Sequence, residues 1–362
     1  AYVQWFNPNI PGWLPALVTA VVLTVLNLQP VKIFGETESW FAIIKIVAIL
    51  GLIAVGLILI ATKFQSPDGD VASIANLWEH GGMFPMGASG FVLGFQMGIF
   101  SFIGVELVGT AAAETENPRK TLPKAINSIV IRILIFYVGA LVIIMSVTPW
   151  HKIAADQSPF VSTLAIAGFG LAAFAIQLVV LTSAASSANS GLYSGTRMLF
   201  GLSKDGHAPR AFAWTNDRGV PSKAVFFTCV FLFTAIPLLF AGDGVIAAFT
   251  FVSSMCATLI LFTWGSIVVS YIVYRRRYPE RHAASKFKMP LAAVAPWLVL
   301  GFFVFIAGTL LYGDDTRAPF LAAPIWFVIL TVLWQLRKRR LIRDGRPLTA
   351  PVPTIPHPLD ED

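Results

Sequence analysis

The sequence predicts an all-α polytopic membrane protein, and three observations carry that prediction. Of its 362 residues, 56% are hydrophobic and only 12% are charged, against about 25% charged in an ordinary soluble domain. Apolar runs recur along the chain near the roughly 20 residues that a helix needs to cross the hydrocarbon. The basic residues gather in alternate links between those runs. A soluble chain of this length would need more charge to cover its surface, and lipid as solvent removes that need.

About nine runs are read, at 13–31, 40–61, 90–112, 129–147, 161–189, 224–240, 246–274, 290–312 and 319–336. No soluble-sized region separates them, so one membrane domain, 1–340, precedes a tail, 341–362. Barrel strands would be about 10 residues long and would alternate in polarity; these runs do neither. The link 63–89 is expected to hold a short interfacial helix around Trp78. The link 191–223 is expected to continue helically through Arg197–Phe200 and to break at Asp205–Gly206. The proline-rich tail has little to bury and is expected to be disordered.

Orientation follows from charge. One set of links carries Arg119, Lys120, Lys124, Arg197, Lys204, Arg210, the Arg275–Arg277 triplet and the Arg337–Arg340 cluster; the other set carries only Lys63, Lys152 and Arg317. The positive-inside rule makes the first set, and the C-terminus, cytoplasmic. The net charge of +7 is then topology, not a nucleic-acid surface. With an odd number of spans Ala1 would begin outside, yet Ala1–Trp5 do not read as a signal peptide. A longer parent protein is therefore expected.

No enzyme, metal or cofactor signature is read. Cys229 and Cys256 lie in apolar runs, without disulfide or ligand spacing. His80, His151, His207, His282 and His357 fall in loops or the tail, far apart in sequence. Asp68, Asp70, Asp314 and Asp315 read as solvated loop residues. Neither a metal-binding HExxH, a phosphate-cradling loop nor a GxSxG elbow is present.

The third run is the most informative. Gly90, Gly94 and Gly98 recur at spacing four, a pattern that reads as close helix packing. Its middle, Phe100-Ser101-Phe102-Ile103-Gly104-Val105-Glu106, sets a glycine and an acid near the bilayer midplane. An ionised carboxylate at mid-helix costs about 3 kcal/mol on insertion scales. Such a group either faces a cavity or carries a proton, or it is hydrogen-bonded to a neighbouring helix. Glycine-broken helices at midplane are where secondary transporters bind substrate. Freed carbonyls suit an ammonium group and a half-helix N-terminus suits a carboxylate, so a zwitterionic amino acid fits both.

Two further polar features are open to two readings each. Lys45 lies well inside the second run, where it either snorkels to the interface or serves a function. Ser183, Ser186, Ser187 and Ser190 share one helical face of the fifth run, as packing glue or as the lining of an ion or proton site. Ser253, Ser254 and Thr258 form a weaker case of the same kind.

The segments FSFIGVELVGTAAAETENPRKTLPKAI and LTSAASSANSGLYSGTRMLFGLSKDGHAP resemble the amino acid transporter branch of the amino acid–polyamine–organocation superfamily. WFAIIKIVAI and LYGDDTRAPFLAAPIWF bring the resemblance nearest to bacterial D-serine/D-alanine/glycine permeases, and it runs from about Trp13 to Trp334. It implies a LeuT-like fold of twelve helices built on two inverted repeats, with the runs here matching the fourth to twelfth and the first three absent. It implies proton-coupled symport of a small neutral amino acid such as D-serine, D-alanine or glycine across the bacterial cytoplasmic membrane. The same resemblance gives Phe100, Ser101, Phe102, Ile103 and Gly104 the place of the unwound sixth-helix segment that lines the substrate pocket, with Phe100 closing over the substrate. Glu106 matches an acid linked to proton coupling. Lys45 matches a fifth-helix lysine that replaces a sodium site, and Ser186 and Ser187 lie where the eighth helix faces it. A permease-derived sensor or scaffold, or a carrier of GABA, asparagine or aromatic amino acids, are the alternatives.

Overall fold

A computed structural model describes residues 9–110, 117–154, 158–166, 170–238 and 245–343, with 3, 7, 168 and 345. Segment 111–116 of the family-like motif and the tail from 346 onward, expected to be disordered, lie outside the described residues. The helices are α1 (Trp13–Asn27), α2 (Val31–Ala61), α3 (Asn76–Glu79), α4 (Gly87–Ser101), α5 (Leu107–Thr110), α6 (Pro118–Arg132) and α7 (Ala140–Val147). They continue with α8 (Pro159–Ile166), α9 (Gly170–Lys204), α10 (Ser222–Leu238), α11 (Val245–Arg277), α12 (Pro279–Ala284), α13 (Ala295–Tyr312) and α14 (Asp314–Arg343). A π-helical stretch, Ile133–Gly139, joins α6 to α7 without interruption.

Each expected run contains helix among its described residues. Among the described residues, six stretches are long and apolar enough to cross a membrane: Gly35–Ala61, Lys120–Val147, Gly170–Lys204, Ala248–Arg277, Ala295–Tyr312 and Asp314–Arg343. The shorter α1 and α10 and the interrupted pair α4 and α5 fill the remaining three runs. Large apolar side chains cover the outside of these helices; on α2, Val47 and Ile58 are 63% and 61% exposed. That inversion of the usual soluble pattern is what a lipid-facing surface requires. The chain is a multi-pass membrane protein.

Several local expectations hold. Trp78 lies in α3, and α9 carries the chain helically through Arg197–Phe200 before a turn at Asp205–Gly206. Others are corrected. The fifth run is two helices rather than one, because Gly168 takes φ +82 between α8 and α9, a conformation open to glycine and costly for other residues. His80 and His151 are not far apart; their ring centroids lie 4.9 Å from each other. Asp70 is not simply solvated, since Lys152 pairs with it at 2.7 Å. That pair joins two links assigned to the same face, as the charge pattern requires.

The chain divides into two compact units, one of Ala1–Met86 with Leu107–Ile246, the other of Gly87–Glu106 with Ala247–Asp362. In the first, Leu52, Ile144, Val161, Leu164 and Ala173 form a core where α2, α7, α8 and α9 meet. A second cluster of Leu192, Val220, Val225 and Cys229 packs α9 on α10, with Leu28 after α1 against it. In the other unit, Ile99, Ala257, Leu261, Ile306 and Leu310 bring α4, α11 and α13 together.

Close packing through glycine occurs, but not at Gly94 or Gly98, two of the three positions expected to show it. A Cβ on Gly94 or Gly98 would meet nothing within 4 Å. On Gly56 it would collide with Ile143 Cγ2 and lie 3.5 Å from Ile143 Cβ, and a β-branched side chain has little rotamer freedom to withdraw. Gly56→Ala should therefore destabilise the contact of α2 with α7 by about 1–3 kcal/mol. A thermal melt in detergent should show a lowered midpoint for Gly56→Ala and an unchanged one for Gly94→Ala.

Candidate functional site

The most distinctive backbone lies in the unit built from α4 and α11–α14. Helix α4 stops at Ser101, and helix resumes only at Leu107. Between them the ladder shortens to three-residue turns: Phe102 N–H donates to Ile99 O at 3.1 Å, Ile103 to Phe100 at 3.2 Å and Val105 to Phe102 at 3.3 Å. Gly104 sits at φ +106, outside the region that any side-chain-bearing residue adopts cheaply. The sequence places its weakest helix former where the helix breaks.

Glu106 holds this turn. Its Oε2 accepts the Gly104 N–H at 3.0 Å and the indole N–H of Trp264, on α11, at 3.2 Å. Both bonds fall on one oxygen; among the described residues nothing donates to Oε1. The acid is thus tied to a neighbouring helix and, at the same time, to the break in its own. Phe100 meets Phe249 edge-to-face, with centroids 5.7 Å apart. Beside it is a cavity of about 10 Å³, lined by Met97, Phe100, Thr250, Ser253, Ser254, Ala257 and Leu310. That is room for about one water. Ser101 is exposed and donates to Met97 O at 2.9 Å. Ser253 and Ser254 both donate to Thr250 O, at 3.1 and 2.7 Å, and Thr258 donates to Ser254 O at 2.9 Å. All three hydroxyls are thereby bound to their own helix.

The other unit brings Lys45 and Ser186 together. Lys45 Nζ, on α2, donates to Ser186 Oγ, on α9, at 2.9 Å. Ser186 Oγ in turn donates to Glu38 Oε2 at 2.8 Å, and Asn189 Nδ2 donates to Glu38 Oε1 at 2.9 Å. Asn27, the last residue of α1, donates through Nδ2 to Asn189 Oδ1 at 2.7 Å and to Leu23 O at 2.9 Å. Ser186 and Asn189 are each 1% exposed, whereas Glu38 and Lys45 are half-buried, so this chain of polar groups runs between three helices with its charged members partly exposed. Ser187 does not join it; it is exposed and donates to Ser183 O at 3.1 Å. Of the four-serine stripe, the geometry brings only Ser186 to the lysine.

Sequence reasoning passed over Glu38, Asn27, Asn189 and Trp264. Glu38 precedes Lys45 by seven residues, two helical turns and hence the same face; that spacing was the available signal. Asn189 follows Ser186 by three and shares its face likewise. Trp264 carries no signal, because a tryptophan in an apolar run reads as packing. Among the described residues, no group of three or more His, Cys, Asp or Glu could hold a metal ion.

A glycine-broken helix in a multi-pass membrane protein is the feature at which secondary carriers bind substrate. The amino acid permease family model matches residues 1–344, and the chain belongs to that family. It is 51% identical over 334 residues to the D-serine/D-alanine/glycine transporter of Escherichia coli K12, covering 92% of this chain and 71% of that protein. It is 45% identical over 339 residues to the amino-acid permease AapA of Bacillus subtilis, covering 94% and 73%. Against the aromatic amino acid transport protein AroP of E. coli O6:H1 the identity is 36% over 338 residues, covering 93% and 73%.

Proposed function

We propose that this amino acid permease carries out proton-coupled symport of small neutral amino acids, D-serine, D-alanine or glycine, across the bacterial cytoplasmic membrane. The observation that carries this reading is the 51% identity over 334 residues to a D-serine/D-alanine/glycine transporter. Identity to a carrier named for aromatic amino acids is lower, at 36%. On this reading the spans correspond to the fourth to twelfth helices of a LeuT-like inverted-repeat fold, with the basic links and the C-terminus in the cytoplasm. The protein moves its substrate without altering it, and is not an enzyme.

Substrate binds at the break from Phe100 to Gly104. A helix that stops mid-span exposes carbonyls to an ammonium group and N–H groups to a carboxylate. Phe100 supplies an apolar wall for the substrate's side chain. Glu106 takes up a proton on Oε1 while Oε2 keeps the turn closed, and Lys45 is the second coupling group. Movement of substrate then shifts a protein that has two accessible states, as alternating access requires.

Counterflow tests the assignment. Membrane vesicles containing the full-length gene product and loaded with unlabelled glycine should show transient uphill entry of labelled glycine, D-alanine or D-serine. Labelled phenylalanine should not enter. Binding without exchange would make the protein a sensor or scaffold, and exchange of phenylalanine alone would make it an aromatic carrier.

A further inference from the structure

We infer that Glu38 is the carboxylate that balances Lys45 inside the membrane, and that the Ser186 hydroxyl passes a proton between them. This rests on the proton-coupling reading above and adds to it a partner for the lysine.

An ammonium group far inside a membrane helix costs about 3 kcal/mol on insertion scales unless something compensates its charge. The helices packed against α2 are α7, α8 and α9, with the π-helical stretch. None of them contains an aspartate or glutamate, nor do α1 or α10. Their titratable or cationic groups are Tyr137 in the π-helical stretch, Tyr193, Arg197 and Lys204 on α9, and Lys223 and Cys229 on α10. On α2 itself, Glu36 is exposed, and two residues of helix turn it well away from the face of Glu38. Glu38 is thus the acid that reaches Lys45 among the described residues.

It does not reach by direct contact. Lys45 and Glu38 are two turns apart, about 10.5 Å along the axis, and the ion pair within 4.0 Å among the described residues is Lys152–Asp70. Ser186 fills the gap from α9, accepting from Lys45 at 2.9 Å and donating to Glu38 at 2.8 Å. The direction of both bonds sets the transfer. A proton leaves Lys45 Nζ for Ser186 Oγ as the serine's own proton leaves for Glu38 Oε2. One N–H and one O–H bond break and two O–H bonds form. Ammonium and carboxylate become amine and carboxylic acid, with no other reactant.

The asparagines fix which oxygen takes part. Asn189 occupies Oε1, and Asn27 anchors Asn189 to α1. The oxygen facing the serine is therefore the one open to protonation. A polar chain linked in this way also ties α1, α2 and α9 together.

The test uses the full-length gene product in vesicles, with labelled glycine as probe. Glu38→Gln and Ser186→Ala should each reduce accumulation driven by a gradient of one pH unit by up to about tenfold, the most that one proton can drive. Exchange at equal substrate concentrations, which needs no net proton movement, should fall far less. Ser186→Thr, which keeps the hydroxyl, should restore accumulation; a purely structural role would lower both transport modes together. Should Glu38→Gln fail to reach the membrane, Glu38→Asp must move the midpoint of the pH profile by about half a unit or more, and an unmoved midpoint overturns the inference. Wild-type accumulation by Glu38→Gln overturns it too. If Lys45→Ala loses coupling while Glu38→Gln keeps it, only this inference falls; if Lys45→Ala also accumulates normally, the coupling reading falls with it.

Discussion

Glu106→Gln is expected to abolish uphill accumulation in a pH gradient while preserving the local fold. Glutamine has the shape of glutamate, and its amide oxygen can still accept from Gly104 N–H and Trp264 Nε1–H, the two bonds that Oε2 now receives. Those bonds weaken when the acceptor loses its charge, by about 1 kcal/mol, which is small beside the effect on coupling. An amide cannot take up and release a proton. One transported proton contributes about 1.4 kcal/mol per pH unit, or up to about a tenfold concentration ratio, and the variant should fall to a ratio of one. Lys45→Ala should do the same by removing the donor to Ser186. Time courses of labelled glycine in energised vesicles measure this directly, and normal uphill uptake by both variants would refute the roles given to them.

Gly104→Val should eliminate uptake without preventing insertion. A Cβ there meets nothing within 4 Å, and the backbone carries a penalty of its own. At φ +106 a β-branched residue is strained by about 1–3 kcal/mol. The chain can escape that strain by returning to helical angles, which would run α4 on toward α5 and withdraw the Gly104 N–H from Glu106. A straightened span has no exposed carbonyls to offer an ammonium group. Uptake should drop more than about tenfold, a loss of over 1.4 kcal/mol in binding, with protein in the membrane near the normal amount. Gly104→Ala should lie between the two. Wild-type uptake by Gly104→Val would show that the break is not where substrate sits.

The spans are legible in the sequence because lipid imposes the pattern. Twenty apolar residues in a row announce themselves, and so does a glycine two places before an acid in such a run. Gly168 was as visible as Gly104 but had no charged neighbour to draw attention, so the break between α8 and α9 went unread. Glu38 escaped for the opposite reason: an acid near a helix start reads as solvated, and only the arrival of Ser186 from 148 residues away reveals its task. The same holds for Trp264, which lies 158 residues from Glu106. Such pairings are set by which helix docks on which, information that hydropathy does not contain. Spacing alone could narrow the serine stripe to one face, but not to the single member that faces inward.

Helix α9 runs uninterrupted for 35 residues, about 52 Å at 1.5 Å per residue, whereas the hydrocarbon is about 30 Å thick. A good part of it must stand clear of the acyl chains, and its later turns carry Arg197 stacked on Tyr193 and Lys204 on Phe200. The rod that bears the Ser186 hydroxyl is therefore also the one that ends in a collar of cations at the water boundary. Any tilt that draws the serine off its partners swings that collar through a larger arc, with no joint between to absorb it.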